Sequence, residues 1–190
     1  SNLAVYQFQV KFTHFMGNDI YLENFYKEGD DSRLVFDDGV KFGMLCLAVN
    51  NACQLIYSFF NSKTVDAIGM KWTMIIGTGL MGVCEALFIW IKNKYIFFVL
   101  AGLIGFSQII FTSIPYAIVS LVIPTEELGN NLGILNCFCV IGQQISNWGL
   151  TYFVDNVCNS RLSAKKIGFS SVFAAAAMIS SFWIVQPSLA

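Results

Sequence analysis

Long apolar runs alternate with short polar segments along the whole chain. Four of the runs hold about 20 mostly apolar residues, which is enough for a helix to cross the hydrocarbon core of a membrane. A fifth run, 167–185, is slightly shorter but uncharged, and the first, 1–17, contains Lys11 and His14. We predict six membrane-spanning helices, at about residues 1–17, 40–60, 72–91, 95–123, 132–154 and 167–185.

Polar connections separate these predicted helices. The short ones each hold charged residues, glycine or proline, which are typical of turns in water; they are 61–71, 92–94, 124–131 and 155–166. The longest connection, 18–39, carries seven of the twelve acidic residues. We therefore predict an acidic loop at 18–39 that lies in water.

Composition favours a membrane protein over a soluble one. Hydrophobic residues make up 56% of the 190 residues and charged residues only 12%, whereas soluble domains hold about a quarter charged residues. The net charge of −1 gives no basic patch for nucleic acid. The sequence has one histidine and no grouping of metal-ligand residues, which is too little for acid–base catalysis. We expect no enzyme, no catalytic residues, no metal and no cofactor.

Polar side chains recur at helical spacing within four of the predicted helices. Because residues three or four apart share one face of a helix, each set forms a stripe. Polar groups in hydrocarbon are costly, so a stripe indicates a cavity or a helix contact. The stripes are Gln7, Lys11, His14 and Asn18; Asn50, Gln54, Tyr57 and Asn61; Gln108, Thr112, Tyr116 and Ser120; and Asn136, Gln143 and Asn147.

We predict that the four striped helices line a cavity and that the third and sixth helices are peripheral. Amides, hydroxyls and aromatic rings suit a sugar, which needs donors, acceptors and apolar surface together. The alternative is that each polar group makes a hydrogen bond between helices, worth about 1 kcal/mol. The third helix holds one acid, Glu85, which is either a proton relay or the partner of a neighbouring helix or headgroup.

Three sequence elements resemble the second half of sucrose–proton symporters. Residues 13–21 read THFMGNDIY and resemble the element TDWMGREVY, and residues 105–117 read GFSQIIFTSIPYA and are similar to GIPQAITFSIPFA. Residues 132–136 read LGILN, followed by Gln143 or Gln144, and resemble LGVLN…PQ. Residues 39–40 and 57–60 are also similar to the animal solute carrier family 45 members of this group of cation symporters.

The resemblance implies an all-α integral membrane fold in which residues 1–190 are helices seven to twelve of the twelve-helix major facilitator fold. It places helices seven, eight, ten and eleven around the cavity, and these are the four striped helices. The substrate-cavity residues are then Gln7, Asn50, Gln54, Gln108, Thr112, Tyr116, Asn136 and Gln143. A missing N-terminal six-helix half, or a second copy of the chain, is the expected partner within the bilayer.

Residues 66–71 read DAIGMK and are similar to the facilitator motif D-x-x-G-R-K, with Met70 in place of the arginine. The matching residues Asp66, Gly69 and Lys71 are expected to form a conformational gate, because the acid and the base can cap helix ends and pair their charges.

Proton coupling is expected at His14 and Asp19. The family element has an acid where this chain has His14, and Asp19 stands at the second acidic position. A histidine titrates near neutrality and can therefore take the role of a proton site. The alternative is that His14 only hydrogen-bonds a neighbouring helix.

The expected function is secondary active transport: symport of sucrose or a related sugar with a proton by alternating access. The rivals are another solute or sodium on the same fold, and a non-transporting half-transporter that acts as a scaffold or partner. We expect a multi-pass protein of the plasma membrane rather than of an organelle. The family topology puts seven lysines and arginines of the connections outside and two inside, the reverse of the positive-inside rule; for orientation we follow the resemblance.

Overall fold

The regular structure of the described residues is helical throughout. The computed structural model describes residues 12–22, 31–88, 90, 91, 93–145, 148, 152 and 163–181. Helix α1 is the π-helix Met16–Leu22, preceded by an α-helical turn at 12–15. It is followed by α2 (Ser32–Leu87), α3 (Lys94–Val122), α4 (Thr125–Ile145) and α5 (Ser163–Ser181).

Helix α2 contains two helices joined at one residue. Gly69 has φ 82° and ψ 155° and interrupts the helix; this backbone conformation is essentially restricted to glycine. We name 32–68 the first arm and 70–87 the second arm. The prediction of a polar connection over 61–71 was wrong, because those residues continue the helix on either side of Gly69.

The ends of α2 and α4 also differ from the sequence prediction. The Asp31 side chain accepts a hydrogen bond from the Arg33 backbone N–H at 2.9 Å, so α2 begins at Ser32 and takes in residues 32–39 of the predicted acidic loop. Helix α4 begins at Thr125, directly after Pro124, rather than at residue 132. Glu126 and Glu127 lie in its first turn, where the helix dipole favours negative charge.

Helix α3 agrees with the prediction to within one residue at each end. Asn93 accepts a hydrogen bond from the Tyr95 backbone N–H at 3.0 Å and caps the helix. The helix ends before Pro124 because a proline disfavours helical backbone in the residue that precedes it. Pro115 lies inside α3 and has no N–H to donate to the carbonyl of Phe111.

The helices pack around α3 and the second arm. Asn50 of the first arm contacts Ala101 of α3, and Asn61 contacts Ser113 further along. The contacts thus advance in the same direction along both helices, so the first arm and α3 are parallel. The second arm is antiparallel to α3, since Gly77 faces Ile110 and the Phe88 ring stacks on the Phe97 ring at 5.3 Å. The second arm, predicted to be peripheral, also packs on α5 through Gly82.

Two of the described helices, α2 and α3, are long and apolar enough to cross a membrane. Helix α4 buries none of its described residues. Phe12 and Phe15 join Phe88 and Phe97 in an aromatic cluster with ring centroids 5.3 to 6.5 Å apart. This cluster closes one end of the packed helices.

Candidate functional site

The polar stripe of the first arm faces α3. Asn50 is 1% exposed, and Gln54, Tyr57 and Asn61 are half-buried. The Tyr57 ring meets the edge of the Phe106 ring at 5.6 Å. The helical spacing that predicted the stripe therefore places all four side chains in the contact between the two helices.

Three amides from this contact form a connected network, which we name the amide network: Asn50, Gln54 and Gln108. The Asn50 Nδ2 donates to the carbonyl oxygen of Ala101 at 2.8 Å. The Gln54 Nε2 donates to Asn50 Oδ1 at 2.8 Å and also to Gln108 Oε1. Each amide thus satisfies part of the hydrogen-bonding capacity of a neighbouring amide in a largely buried contact.

Gln108 lies at the centre of the contact. Its side chain is 2% exposed, and its Nε2 has no hydrogen-bond partner among the described residues. A buried amide nitrogen without an acceptor costs about 1–3 kcal/mol. The amide network therefore offers two N–H donors to a further acceptor.

A close approach of the helices makes this contact possible. A Cβ at Gly105 would overlap the backbone carbonyl oxygen of Asn50 and lie 3.2 Å from the Cβ of Cys53. Only a residue without a side chain allows the two backbones to come so near. Gly105 thus sets the distance across which Gln54 and Gln108 meet.

The other predicted cavity residues take different positions. Thr112 is exposed, and its hydroxyl donates to the Gln108 carbonyl oxygen within α3 at 3.2 Å. Tyr116 is half-buried, whereas Asn136 is exposed and Gln143 half-buried on α4. Gln7 lies outside the described residues. The structure therefore brings three of the eight predicted cavity residues into one network.

His14 and Asp19 lie near the start of the first arm, and the amide network begins 14 residues beyond Phe36, a helical rise of about 21 Å. The His14 side chain is exposed, with its ring edge-on to Phe36 at 6.1 Å. Asp19 is 4% exposed and accepts a hydrogen bond from Asn18 Nδ2 at 3.0 Å. Phe36 and Asn61 are 25 residues apart on the first arm, a helical rise of about 38 Å. The predicted coupling pair and the gate motif are therefore at opposite ends of this arm.

The gate motif surrounds the interruption of α2. Asp66 is exposed and Lys71 half-buried, and Gly69 supplies the positive φ. No ion pair within 4 Å joins Asp66 to Lys63 or Lys71 in the part of the chain that the structure describes. The motif's glycine thus has a clear local role, while its acid is open to another partner.

A cavity of about 320 Å³ lies beside the motif. Its walls come from the first arm, from Met70 after the interruption and from α3 around Pro115. The sequence stripes included Asn61 but not the serines of this cavity, Ser58, Ser62 and Ser113. The signal was the spacing of four between Ser58 and Ser62, beside Asn61. Because serine is common in membrane helices, a serine in the sequence does not by itself indicate a cavity.

Glu85 is fully buried in the second arm, with 0% exposure. It lies beside Cys84, near the Phe88 end of the arm. Glu85 is the one acid of the second arm, whose other charged residue, Lys71, lies at the opposite end. Its depth places it in the packing between helices and away from a lipid-facing surface.

Comparison with known proteins shows a weak similarity to membrane transporters. No protein-family model matches the chain. Over 110 residues it is 27% identical to the membrane-associated transporter protein of Homo sapiens, and 26% identical to the protein of the same name from Mus musculus. Each alignment covers 57% of this chain and 21% of the relative. The matched part thus spans about a fifth of the length of these relatives.

Proposed function

We propose that the chain forms part of a secondary active transporter that moves sucrose or a related sugar with a proton by alternating access. The observation that carries the proposal is the amide network between α2 and α3, two helices with the length and apolarity of membrane spans. The similarity to membrane-associated transporter proteins supports transport as the general activity.

The amide network suits a ligand that both donates and accepts hydrogen bonds. Gln108 Nε2 supplies unused donors, and a sugar hydroxyl can accept from them while donating to an amide oxygen. In the conformation described, the amides bond to one another. Exchange of these bonds for sugar hydroxyls would keep the buried groups satisfied in both states, which lowers the cost of changing between them.

The remaining expected parts of the mechanism belong to the same proposal. The chain supplies helices seven to twelve, and its further cavity residues are Gln7, Thr112, Tyr116, Asn136 and Gln143. A missing six-helix half or a second copy completes the cavity. His14 and Asp19 couple the proton. The gate at Asp66, Gly69 and Lys71 controls the opposite end of the first arm from that pair.

A second candidate function is a non-transporting membrane partner or scaffold. The same amides favour it, because Asn50, Gln54 and Gln108 bond to one another and to Ala101, as they would in a purely structural helix contact. A transporter of another solute on the same fold would use the same mechanism and would differ only in the ligand that its cavity accepts.

Uptake by the native polypeptide in sealed vesicles tests the proposal. We expect sucrose uptake to rise when the outside is more acidic, and Gln108→Leu to reduce it at least tenfold, since loss of a ligand hydrogen bond to a buried amide costs about 1.4 kcal/mol or more. The matched control, Asn130→Leu, changes an exposed amide on α4 and should leave uptake unchanged. Equal uptake by Gln108→Leu and the wild type would show that the amide network does not bind the sugar, and no uptake by either protein would support the scaffold function.

A further inference from the structure

The cavity beside Gly69 is rich in oxygen atoms that accept hydrogen bonds. Five of its nine lining residues carry side-chain oxygen, and the other four are apolar. The lining residues are Ser58, Asn61, Ser62, Val65, Asp66, Met70, Ser113, Ile114 and Ala117. Neither histidine nor cysteine is among them. The amide network, by contrast, ends in an unused donor, so the two places suit different ligands.

Hydrogen bonds already made within the wall use up donors and leave acceptors. Asn61 Nδ2 donates to Ser113 Oγ at 2.8 Å, and Ser58 Oγ donates to the Leu55 carbonyl oxygen at 2.6 Å. Asn61 Oδ1 is buried and has no partner among the described residues. A buried amide oxygen without a donor is costly, and a cation beside the oxygen would remove that cost.

The charge of the lining is negative. Asp66 is the one ionisable residue that lines the cavity. Lys63 and Lys71 do not line it and form no ion pair with Asp66 in the described part of the chain. One carboxylate together with four neutral oxygen-bearing side chains balances a single positive charge.

We propose that this cavity binds a monovalent alkali cation through the Asp66 carboxylate, Asn61 Oδ1 and the surrounding serine hydroxyls. Hard cations prefer oxygen ligands, and Ca²⁺ sites of useful affinity gather several carboxylates, whereas this one has a single carboxylate. Transition metals prefer imidazole or thiolate, which the lining lacks. The volume of about 320 Å³ leaves room for water beside the ion, so the ion keeps part of its hydration.

The position of the site gives the cation a structural consequence. Its ligands come from the first arm and α3, and Met70 of the second arm completes the wall. A bound ion therefore ties the first arm to α3 directly beside the Gly69 interruption. This consequence goes beyond sugar transport and does not require it, because Asn61 is about 38 Å along the helix from Phe36, the residue that contacts His14.

Thermal unfolding of the purified native polypeptide in detergent tests the site without relying on transport. Tm is measured against increasing NaCl and KCl, with choline chloride making up a constant ionic strength. We expect at least one alkali salt to raise Tm saturably, by about 3 °C at ten times its Kd. Asp66→Asn should abolish that rise. The control Asp37→Asn removes an exposed carboxylate near the start of the same arm and should keep it.

Ser113→Ala is a second variant in case Asp66→Asn does not fold. Loss of one neutral ligand should raise the half-saturating salt concentration by up to about tenfold. The proposal is overturned if neither alkali salt raises Tm above choline chloride. A stronger response to CaCl₂ or MgCl₂ than to the alkali salts would also contradict it, as would unchanged responses in both Asp66→Asn and Ser113→Ala. A sodium or potassium response without sucrose uptake would leave the cation site standing and remove the transport proposal.

Discussion

Single residues at the contact between α2 and α3 determine what the two helices can do together. Gln108 is almost fully buried, and its oxygen accepts from Gln54 while its nitrogen has no partner among the described residues. Asn50 is held by the Ala101 carbonyl at 2.8 Å. Removal of one amide would leave its neighbours buried and unpaired, which costs more than the bond itself contributes.

The close approach of the helices at Gly105 can be tested with a single substitution. Gly105→Ala should lower the stability by about 1–3 kcal/mol, because the new Cβ would overlap the Asn50 carbonyl oxygen and force the backbones apart. Tm of the purified protein in detergent measures the change. The control Gly129→Ala meets nothing within 4 Å and should be neutral or stabilising by up to about 1 kcal/mol, as alanine favours helix over glycine. Equal Tm values for the two variants would show that the close approach is not required.

At the scale of elements, the interruption of α2 at Gly69 lets both of its arms pack on α3. The first arm runs parallel to α3 and the second arm antiparallel, so the chain reverses at Gly69 without a longer loop. Thr73 Oγ1 donates to the Gly69 carbonyl oxygen at 2.8 Å, a side-chain bond within the first turn of the second arm. The cavity beside Gly69 lies where this reversal and Pro115 of α3 meet.

Gly69→Ala tests the interruption. An alanine at φ 82° and ψ 155° is strained by about 1–3 kcal/mol, so we expect a lower Tm and a loss of sucrose uptake larger than the loss of stability alone explains. Gly133→Ala on α4, where a Cβ meets nothing within 4 Å, is the control and should keep both. A Gly69→Ala protein with wild-type Tm and uptake would mean that neither the conformation nor the gate depends on glycine.

At the scale of the whole molecule, α4 indicates that the described packing is incomplete. None of its described residues is buried, and Phe138, Val140 and Ile141 are between 45% and 68% exposed. In a membrane, lipid or further protein must cover such a surface. The matched relatives are much longer than this chain, since 110 aligned residues are 21% of their length.

The size of the native polypeptide is the prediction at this scale. We expect an immunoblot of membranes, with an antibody raised against 23–38, to show a band well above the 21.2 kDa of this chain, since the proposed transporter fold joins two six-helix repeats. The chain expressed alone serves as the mobility standard. A native band that runs with the standard would favour a second copy as the partner, and crosslinking would then show a dimer.

The sequence by itself determined the helical class, the apolar character of α2 and α3 and the polar face of the first arm, because helical periodicity and the cost of polar groups in hydrocarbon are local properties. The tertiary structure decided which polar groups meet. It joined Asn50 and Gln54 to Gln108, which lies 54 residues beyond Gln54, and left Thr112 exposed on the same helix. The sequence also predicted a loop at 61–71, whereas in the structure Gly69 alone interrupts the helix. The composition of this segment shows that it is polar, but its backbone conformation depends on how the arms pack. The oxygen-rich cavity formed by Asn61, Asp66 and Ser113 required the structure, because its walls come from segments that meet only when α2 reverses against α3.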